Sequence, residues 1–400
     1  MIPKDVQDKI KESQPNCIRL NNLRLGSDGM STDALFSLSV NSNSMEDEEF
    51  GRVNNCSSLE DSLRLVKDSS SYPWLVFGSN SDDQTVGRIL EYLCGSLSSG
   101  YGKLRIDNGT AVPWSRQFGN IVIEINDSDN VFVSDVQKAA YVNYIISLIR
   151  QSEYYNELKD KILFADGMNY EGGTMLSNAD CHCSYVTAEG IVQTDESYID
   201  YIDSEFLAAN DATPRVTSYG GGNGELISSL SLPSGLEKNR YTAGEYMATL
   251  LSKESVFAGM VMADLNISRR LSDYDKLINS DNETLLNCLK VLQPLGFSRR
   301  VSLDINKPMN ENSAYTLENF ESSCSVSMYR YDNTRVIVIA NATDSQQQFL
   351  VDWINVSNEG AVSERYNTEG RLLQTEKIRD KNPRYTLQAG QVMTITFTVD

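Results

Sequence analysis

Short apolar runs alternate with amphipathic stretches along the first three quarters of the chain. The clearest run, Ile121 to Ile125, breaks abruptly into Asn126 and Asp127, as a buried parallel strand does where it opens into a polar loop. Further strands are predicted at 17–25, 74–78, 162–166, 180–185, 215–219 and 259–264. Helices are predicted at 4–13, 59–66, 85–94, 136–150, 198–210, 243–252 and 282–292. This alternation is typical of parallel β/α units.

These strands number seven, whereas a closed (β/α)8 TIM-type barrel needs eight. The barrel is therefore predicted to be incomplete at its N-terminus unless residues 35–40 supply the eighth strand. From about residue 298 the period of the apolar positions changes to two, as in Val336, Val338 and Ala340, which predicts an antiparallel β-sandwich. We expect an α/β barrel over residues 1–297 and a C-terminal sandwich over 298–400.

Composition and charge argue against several classes of protein. With 400 residues and 40% hydrophobic content, the chain has enough apolar side chains for a packed core. The formal net charge of −20 argues against nucleic acid as a partner, because phosphate binding needs clustered Lys and Arg. No apolar run reaches the roughly 18 residues of a membrane span, and the first residues lack a secretory signal. Seven scattered cysteines form no disulfide framework, so a reducing, cytoplasmic location is expected.

A longer motif lies just upstream of the strand at 121–125. It reads YGKLRIDNG over residues 101–109 and is followed by Pro113-Trp114. Together with the strand, this motif resembles α-L-arabinofuranosidases of the retaining clan A glycoside hydrolases. The resemblance extends over about residues 5 to 400. It implies a (β/α)8 barrel with an accessory sandwich, and a glycan or pentose-containing saccharide as ligand.

The resemblance also implies positions for the two catalytic carboxyl groups. The family's strand ends Glu-Ile-Gly-Asn-Glu, and its last Glu, the acid/base, corresponds here to Asp127 after the sugar-binding position Asn126. Shortening Glu to Asp retracts the carboxyl by about 1.5 Å, and a misplacement of about 1 Å costs on the order of 10²-fold in rate. At the nucleophile position, Val-Thr-Glu-Tyr in the family, the chain has Ser218, which cannot form the glycosyl ester. The Pro-Gly-Gly turn that follows the pocket arginine in the family is absent after Arg19.

Sugar sites use aromatic faces and planar amides, and the resemblance places a His and a following Tyr in the pocket. The candidate ligand contacts are Asn126, His182, Tyr185, Tyr219, Trp114 and Asn223. Because His182 is the single histidine, zinc sites with two or three His are excluded, and no metal or cofactor is predicted. Two alternatives stay open: Asp127 as a polar loop residue that caps a strand or helix, and His182 as a satisfied core histidine.

Three functions are compatible with these observations. The first is a catalytically inactive, glycosidase-derived protein that binds carbohydrate or serves as a scaffold. The second is a slow retaining glycosidase that uses Asp127 as acid/base, and the third is a structural subunit of a larger assembly. Because the family has strands before the point where this sequence starts, we also expect an oligomer or a partner chain to complete the fold.

Overall fold

The structure, a computed structural model, describes residues 2–20, 35–36, 38, 44–47, 51–54, 57–79, 81–127, 130–171, 176–187, 225–231, 242–251, 259–262, 264–267, 283–301, 324–351 and 359–399. Its contacts divide the chain into two compact units. The first unit comprises residues 1–184, 214–227 and 264–278, and the second comprises 185–213, 228–263 and 279–400. The predicted division between residues 297 and 298 stays a prediction.

The element bounds are as follows. The helices of the described residues are α1 (Lys4–Ser13), α2 (Leu59–Asp68), α3 (Asp83–Cys94), α4 (Gly100–Asp107), α5 (Asp135–Gln151), α6 (Tyr155–Leu158), α7 (Ala243–Leu251) and α8 (Glu283–Leu292). The strands are β1 (Cys17–Leu20), β2 (Ser44–Asp47), β3 (Gly51–Asn54), β4 (Tyr72–Phe77), β5 (Ile121–Ile125), β6 (Ile162–Asp166), β7 (Cys181–Thr187), β8 (Glu225–Ser231), β9 (Gly259–Met262), β10 (Asp264–Ile267), β11 (Ser298–Val301), β12 (Cys324–Tyr331), β13 (Thr334–Asn341), β14 (Gln347–Leu350), β15 (Val362–Tyr366), β16 (Leu372–Lys377), β17 (Arg384–Leu387) and β18 (Val392–Thr398).

The first unit is built on a parallel sheet in the order β10-β1-β4-β5-β6-β7. The helix at 4–13 and the strands at 121–125 and 162–166 lie where the apolar pattern predicted them. Side-chain caps begin the following helices, since Ser58, Asp82 and Ser134 each accept a backbone N–H from the first turn. The prediction of parallel β/α units is confirmed, and the strands of the described residues do not form a closed barrel.

Two details of the predicted strands are wrong. Leu35 and Phe36, proposed for an eighth strand, lie in a turn, and the Phe36 ring packs on Tyr92 with 4.8 Å between ring centroids. The predicted strand at 259–264 is two strands, of which β9 pairs antiparallel with β11 while β10 pairs in parallel with β1. A short apolar segment does not indicate which strand it pairs with, and this explains these errors.

The YGKLRIDNG motif forms α4 and fastens it to the end of α3. Arg105 is only 1% exposed and donates to the carbonyl oxygens of Tyr92 and Gly95 at 3.1 and 2.8 Å. At Gly102 an added Cβ would lie 2.3 Å from the carbonyl oxygen of Ser96, so the close approach of these backbones requires glycine. The motif that carries the family resemblance therefore has a structural role in this chain.

The second unit contains an antiparallel sheet in the order β9-β11-β12-β13-β18-β15-β16, and β14 and β17 form a second sheet. The period-two prediction for this part of the chain is confirmed. Its core is formed by Ile337, Ile339, Ala361, Ile378, Tyr385, Leu387, Met393, Ile395 and Phe397. The start of α7 approaches β13 so closely that a Cβ on Gly244 would lie 2.3 Å from the carbonyl oxygen of Asn341.

Candidate functional site

The carboxyl ends of the parallel strands carry a polar cluster on one face of the sheet. The register places Arg19 of β1 beside Trp74 of β4 and Val122 of β5. Since side chains alternate along a strand, Glu124 and Asn126 follow on the same face as Val122. Ligands of open α/β sheets bind at these strand ends, so the cluster is the first place to look for chemistry.

Glu124 is the centre of this cluster and is fully buried. Its two carboxylate oxygens accept from Nε and Nη2 of Arg19 at 2.7 and 2.6 Å, a bidentate pair in which Arg19 is 7% exposed. The indole N–H of Trp74 donates to the same carboxylate at 2.8 Å. The charge of Glu124 is thus neutralised within the protein, and Arg19 is engaged rather than free to hold a sugar.

Asn126 closes the cluster at the end of β5. Its Nδ2 donates to Glu124 at 3.1 Å, and its backbone N–H donates to the carbonyl oxygen of Phe77. The side-chain oxygen Oδ1 is buried and has no hydrogen-bond partner among the described residues. A buried acceptor without a donor costs free energy, so among the described residues this oxygen is an acceptor that is still available to a hydroxyl group.

Asp127 holds its own loop. Its two carboxylate oxygens accept the backbone N–H groups of Val131 and Phe132 at 2.8 and 2.9 Å. The ring of Phe132 in turn lies against Tyr141 of α5, with 4.8 Å between centroids. This geometry is that of the polar loop residue considered as the alternative for Asp127.

His182 lies on the other face of the parallel sheet. The register aligns Ile125 with Asp166 and Asp166 with His182, so these side chains point away from the face of Glu124 and Asn126. Arg150 of α5 packs over the ring of Phe164, two residues before Asp166, which makes this the helix-covered face. The structure therefore does not bring His182 together with Asn126.

A second cluster of buried polar side chains is centred on Asp166, on the same face of the sheet as His182. Tyr170 donates its hydroxyl to Asp166 at 2.7 Å, and Ser177 donates to the same oxygen. Burial raises the pKa of Asp166 above its ordinary value, although these hydrogen bonds act in the opposite direction. Burial also raises the pKa of the Tyr170 phenol, and the nearby negative charge of Asp166 raises it further. His182 Nε2 lies 3.0 Å from the carbonyl oxygen of Met168, and its Nδ1 is buried without a partner in the described part of the chain.

Trp114 lies near the amino ends of the strands. It is 1% exposed, stacks on Phe118, and donates its indole N–H to the buried carboxylate of Glu60 at 3.1 Å. Its neighbour Ser115 accepts at its carbonyl oxygen from Lys161, the residue that precedes β6. The structure does not bring Trp114 to the carboxyl end of β5, and its ring has no exposed face.

The remaining candidates are placed less completely. Ser218, Tyr219 and Asn223 lie outside the described residues, and of Tyr185 the structure describes only the backbone, within β7. Sequence reasoning missed Glu124 and Asp166 as cluster centres. A signal was present, since a carboxylate inside an apolar strand is a buried charge that must find a partner.

No group of His, Cys, Asp or Glu side chains in the described ranges is arranged to hold a metal ion. The described residues include five buried cysteines. None of the helices in the described part of the chain is long and apolar enough to cross a membrane.

Comparison with solved structures defines the class of the fold. Over almost its whole length the chain is similar in structure to α-L-arabinofuranosidases, which shows that it shares their fold. The family 51 enzyme AbfB from Bifidobacterium longum matches 98% of this chain over 89% of its own, with a TM-score of 0.57 and 14% identity. For the Thermotoga maritima enzyme in complex with arabinose, the coverages are 99% and 90%, the TM-score is 0.58 and the identity is 10%.

The family 51 enzyme from Thermotoga petrophila gives a TM-score of 0.59 at 11% identity, over 98% of this chain and 90% of its own. Structural similarity at identities this low shows a shared fold and does not show a shared activity. No protein-family model matches the chain, and no curated protein matches it by sequence.

Proposed function

We propose that this chain is a glycosidase-derived protein that binds a saccharide at the carboxyl end of β5 without hydrolysing it. The observation that carries the proposal is the hydrogen bonding of Asp127, the residue at the acid/base position. Both of its carboxylate oxygens already accept backbone N–H groups of its own loop, at 2.8 and 2.9 Å. These two bonds fix the orientation of the carboxyl within its own loop, and the side chain is one methylene shorter than the glutamate of the resembled family.

The second carboxylate on this face does not substitute for the nucleophile. Retaining hydrolysis needs a carboxylate free to attack the anomeric carbon. Glu124 is fully buried and is held by Arg19, Trp74 and Asn126. At the nucleophile position itself the sequence has Ser218. Hydrolysis by two carboxyl groups therefore has no support from the residues of this face.

Saccharide binding is supported by Asn126. Its Oδ1 is a buried acceptor that lacks a donor within the described residues, while its Nδ2 is fixed by Glu124 at 3.1 Å. An amide held in one orientation accepts a ligand hydroxyl without paying further ordering entropy. The resemblance to arabinofuranosidases makes a pentose-containing saccharide the first ligand to test.

The test combines an activity assay with a binding assay. We expect no release of nitrophenol from 4-nitrophenyl α-L-arabinofuranoside above background, and a saturable calorimetric signal with arabino-oligosaccharides. Asn126→Ala should abolish that signal, whereas Asn333→Ala, a change at an exposed turn of the sandwich, should leave it intact. Turnover that disappears in Asp127→Asn would refute the loss of hydrolysis. Binding that survives in Asn126→Ala would remove Asn126 from the site.

A second candidate, a scaffold or subunit of an assembly, is favoured by the loop that Asp127 holds. Val131, Val133 and Val136 are 51%, 84% and 73% exposed, an unusual concentration of apolar surface. Under this function the protein forms an oligomer or binds a partner chain through these valines. Light scattering of the wild type and of Val133→Ser tests the idea, since the substitution should lower the mass of the assembly. A monomeric wild type with no binding partner would leave saccharide binding as the better proposal.

A further inference from the structure

A separate polar cleft lies in the sandwich of the second unit. It has a volume of about 180 Å³ and is bounded by β15, β16 and the chain from Ile378 to Tyr385. One water molecule occupies about 30 Å³ in the liquid, and drug-sized ligands fill clefts of about 300–1,000 Å³. The cleft therefore has the size of a small polar group with its hydration, or of the end of a larger ligand.

The cleft is positively charged although the chain is strongly acidic. Four of its lining residues are cations, namely Arg365, Lys377, Arg379 and Arg384, against two carboxylates, Glu376 and Asp380. The local formal charge is thus +2, in a chain whose formal net charge is −20. A local excess of cations in such a chain attracts anions from solution, most strongly at low ionic strength.

The side chain of Arg365 leaves its strand toward the core of the sandwich, unlike that of an ordinary surface arginine. Arg365 pairs in register with Met393 of β18, a residue of the sandwich core, so its side chain starts on the core side of the sheet. Its Nε is buried and has no hydrogen-bond partner among the described residues. Arginine is always charged, and a buried donor without an acceptor is explained by an ion or a water that belongs there.

Two acceptors that line the cleft have partners of their own. Glu376 accepts from Gln374 at 2.5 Å along β16. Tyr385 points its hydroxyl at Ser363, and burial raises the pKa of this phenol, so it carries no negative charge at neutral pH. The cleft supplies donors and positive charge, and its own carboxylates leave Nε of Arg365 unsatisfied.

We propose that this cleft binds an oxyanion, with Arg365 Nε as the buried donor and Arg379 and Arg384 as the cations at its rim. The shared chemistry is that of a planar or tetrahedral group with several negatively charged oxygens, which guanidinium groups recognise. The source is either the carboxylate of an acidic saccharide or a free inorganic oxyanion. This proposal uses none of the residues around Asp127 and Asn126, so it stands or fails independently of the proposed function.

The experiment is a titration of the full chain at low, constant ionic strength, with chloride as the balancing anion. The probes are galacturonate, its uncharged methyl ester, inorganic phosphate and sulfate. We expect saturable binding of at least one anion with a dissociation constant of the order of millimolar, and no binding of the ester. Binding of galacturonate would identify the acidic saccharide as the source, whereas binding of phosphate or sulfate alone would identify a free oxyanion.

Matched variants localise the site. Arg365→Gln and Arg384→Gln should each weaken binding by about tenfold or more, while Arg330→Gln, an exposed arginine on β12 outside the cleft, should not. If Arg365→Gln fails to fold, the Nε–Hε resonance of Arg365 in the wild type gives the same answer, because it should shift during the titration. Absence of saturable binding by every anion, or binding unchanged in both cleft variants with no shift of that resonance, would overturn the proposal.

Discussion

The ion pair between Arg19 and Glu124 offers the sharpest test of the polar cluster, through the substitution Glu124→Gln. The carboxylate is fully buried and its partner is 7% exposed, so the substitution removes a negative charge that is paired with a guanidinium in little contact with solvent. Removing one member of a buried ion pair costs about 3–5 kcal/mol, chiefly because the remaining charge is uncompensated. We expect Glu124→Gln to lower the free energy of unfolding by this amount.

The assay is urea unfolding followed by tryptophan fluorescence. Trp74 is a local reporter, because its indole N–H is bonded to Glu124 at 2.8 Å. For a domain of about 150–250 residues, each kcal/mol lowers Tm by about 2–4 °C, so the expected loss is about 6–20 °C in a thermal scan. The matched control is Asp107→Asn, which breaks the pair with Lys103 on the surface of α4, where both side chains are more than half exposed. That change should cost less than about 1 kcal/mol.

A double-mutant cycle completes the test. Arg19→Met alone should also destabilise, since it leaves the buried carboxylate without its cation. The double variant should be less destabilised than the sum of the two single variants, because neither charge is then left alone. Equal unfolding midpoints for Glu124→Gln and Asp107→Asn, or additivity in the cycle, would refute the reasoning.

Three further predictions concern other parts of the fold. Asp127→Asn should speed hydrogen exchange at the two loop amides that its carboxylate accepts and cost about 1–2 kcal/mol, as measured by exchange and urea unfolding. Burial raises the pKa of Asp166 above the ordinary 3.8, so the folded state holds this proton more tightly and stability falls as pH rises from 3.8 through the folded pKa. Urea midpoints should show this fall in the wild type and a smaller one in Asp166→Asn. Gly244→Ala forces a Cβ to 2.3 Å from a backbone oxygen and should cost about 1–3 kcal/mol, whereas Gly87→Ala meets nothing within 4 Å and should stabilise α3 by about 0.5–1 kcal/mol in the same assay.

Each of these predictions has a contrary result. Unchanged amide exchange in Asp127→Asn would mean that the carboxylate does not hold the loop, and would reopen its part in catalysis. An equal fall of stability with pH in wild type and Asp166→Asn would assign the titration to another group. Equal effects of the two glycine substitutions would show that α7 does not approach β13 as closely as described.

The apolar pattern predicted much of the first unit because it is a local property. The strands at 121–125 and 162–166 are continuous apolar runs between polar turns, which is the pattern of a strand buried on both faces. The helices α2, α3 and α5 begin where Ser or Asp accepts a backbone N–H from the first turn, as Ser134 does for α5. Local sequence did not predict that the strand at 259–264 is two strands with different partners, because the choice of partner strand depends on distant residues.

The sequence alone predicted, through its resemblance to arabinofuranosidases, that Asp127 and Ser218 stand where those enzymes have two glutamates. The tertiary structure decided which partner each side chain has and on which face of the sheet it lies. Arg19 and Glu124 are 105 positions apart, and the register of three strands makes them a bidentate pair. The same register puts His182 and Asn126 on opposite faces of the sheet, although both were predicted from the sequence to line one sugar pocket. Residue identity is fixed locally, whereas the face, partner and burial of a side chain follow from strand pairing across the whole unit.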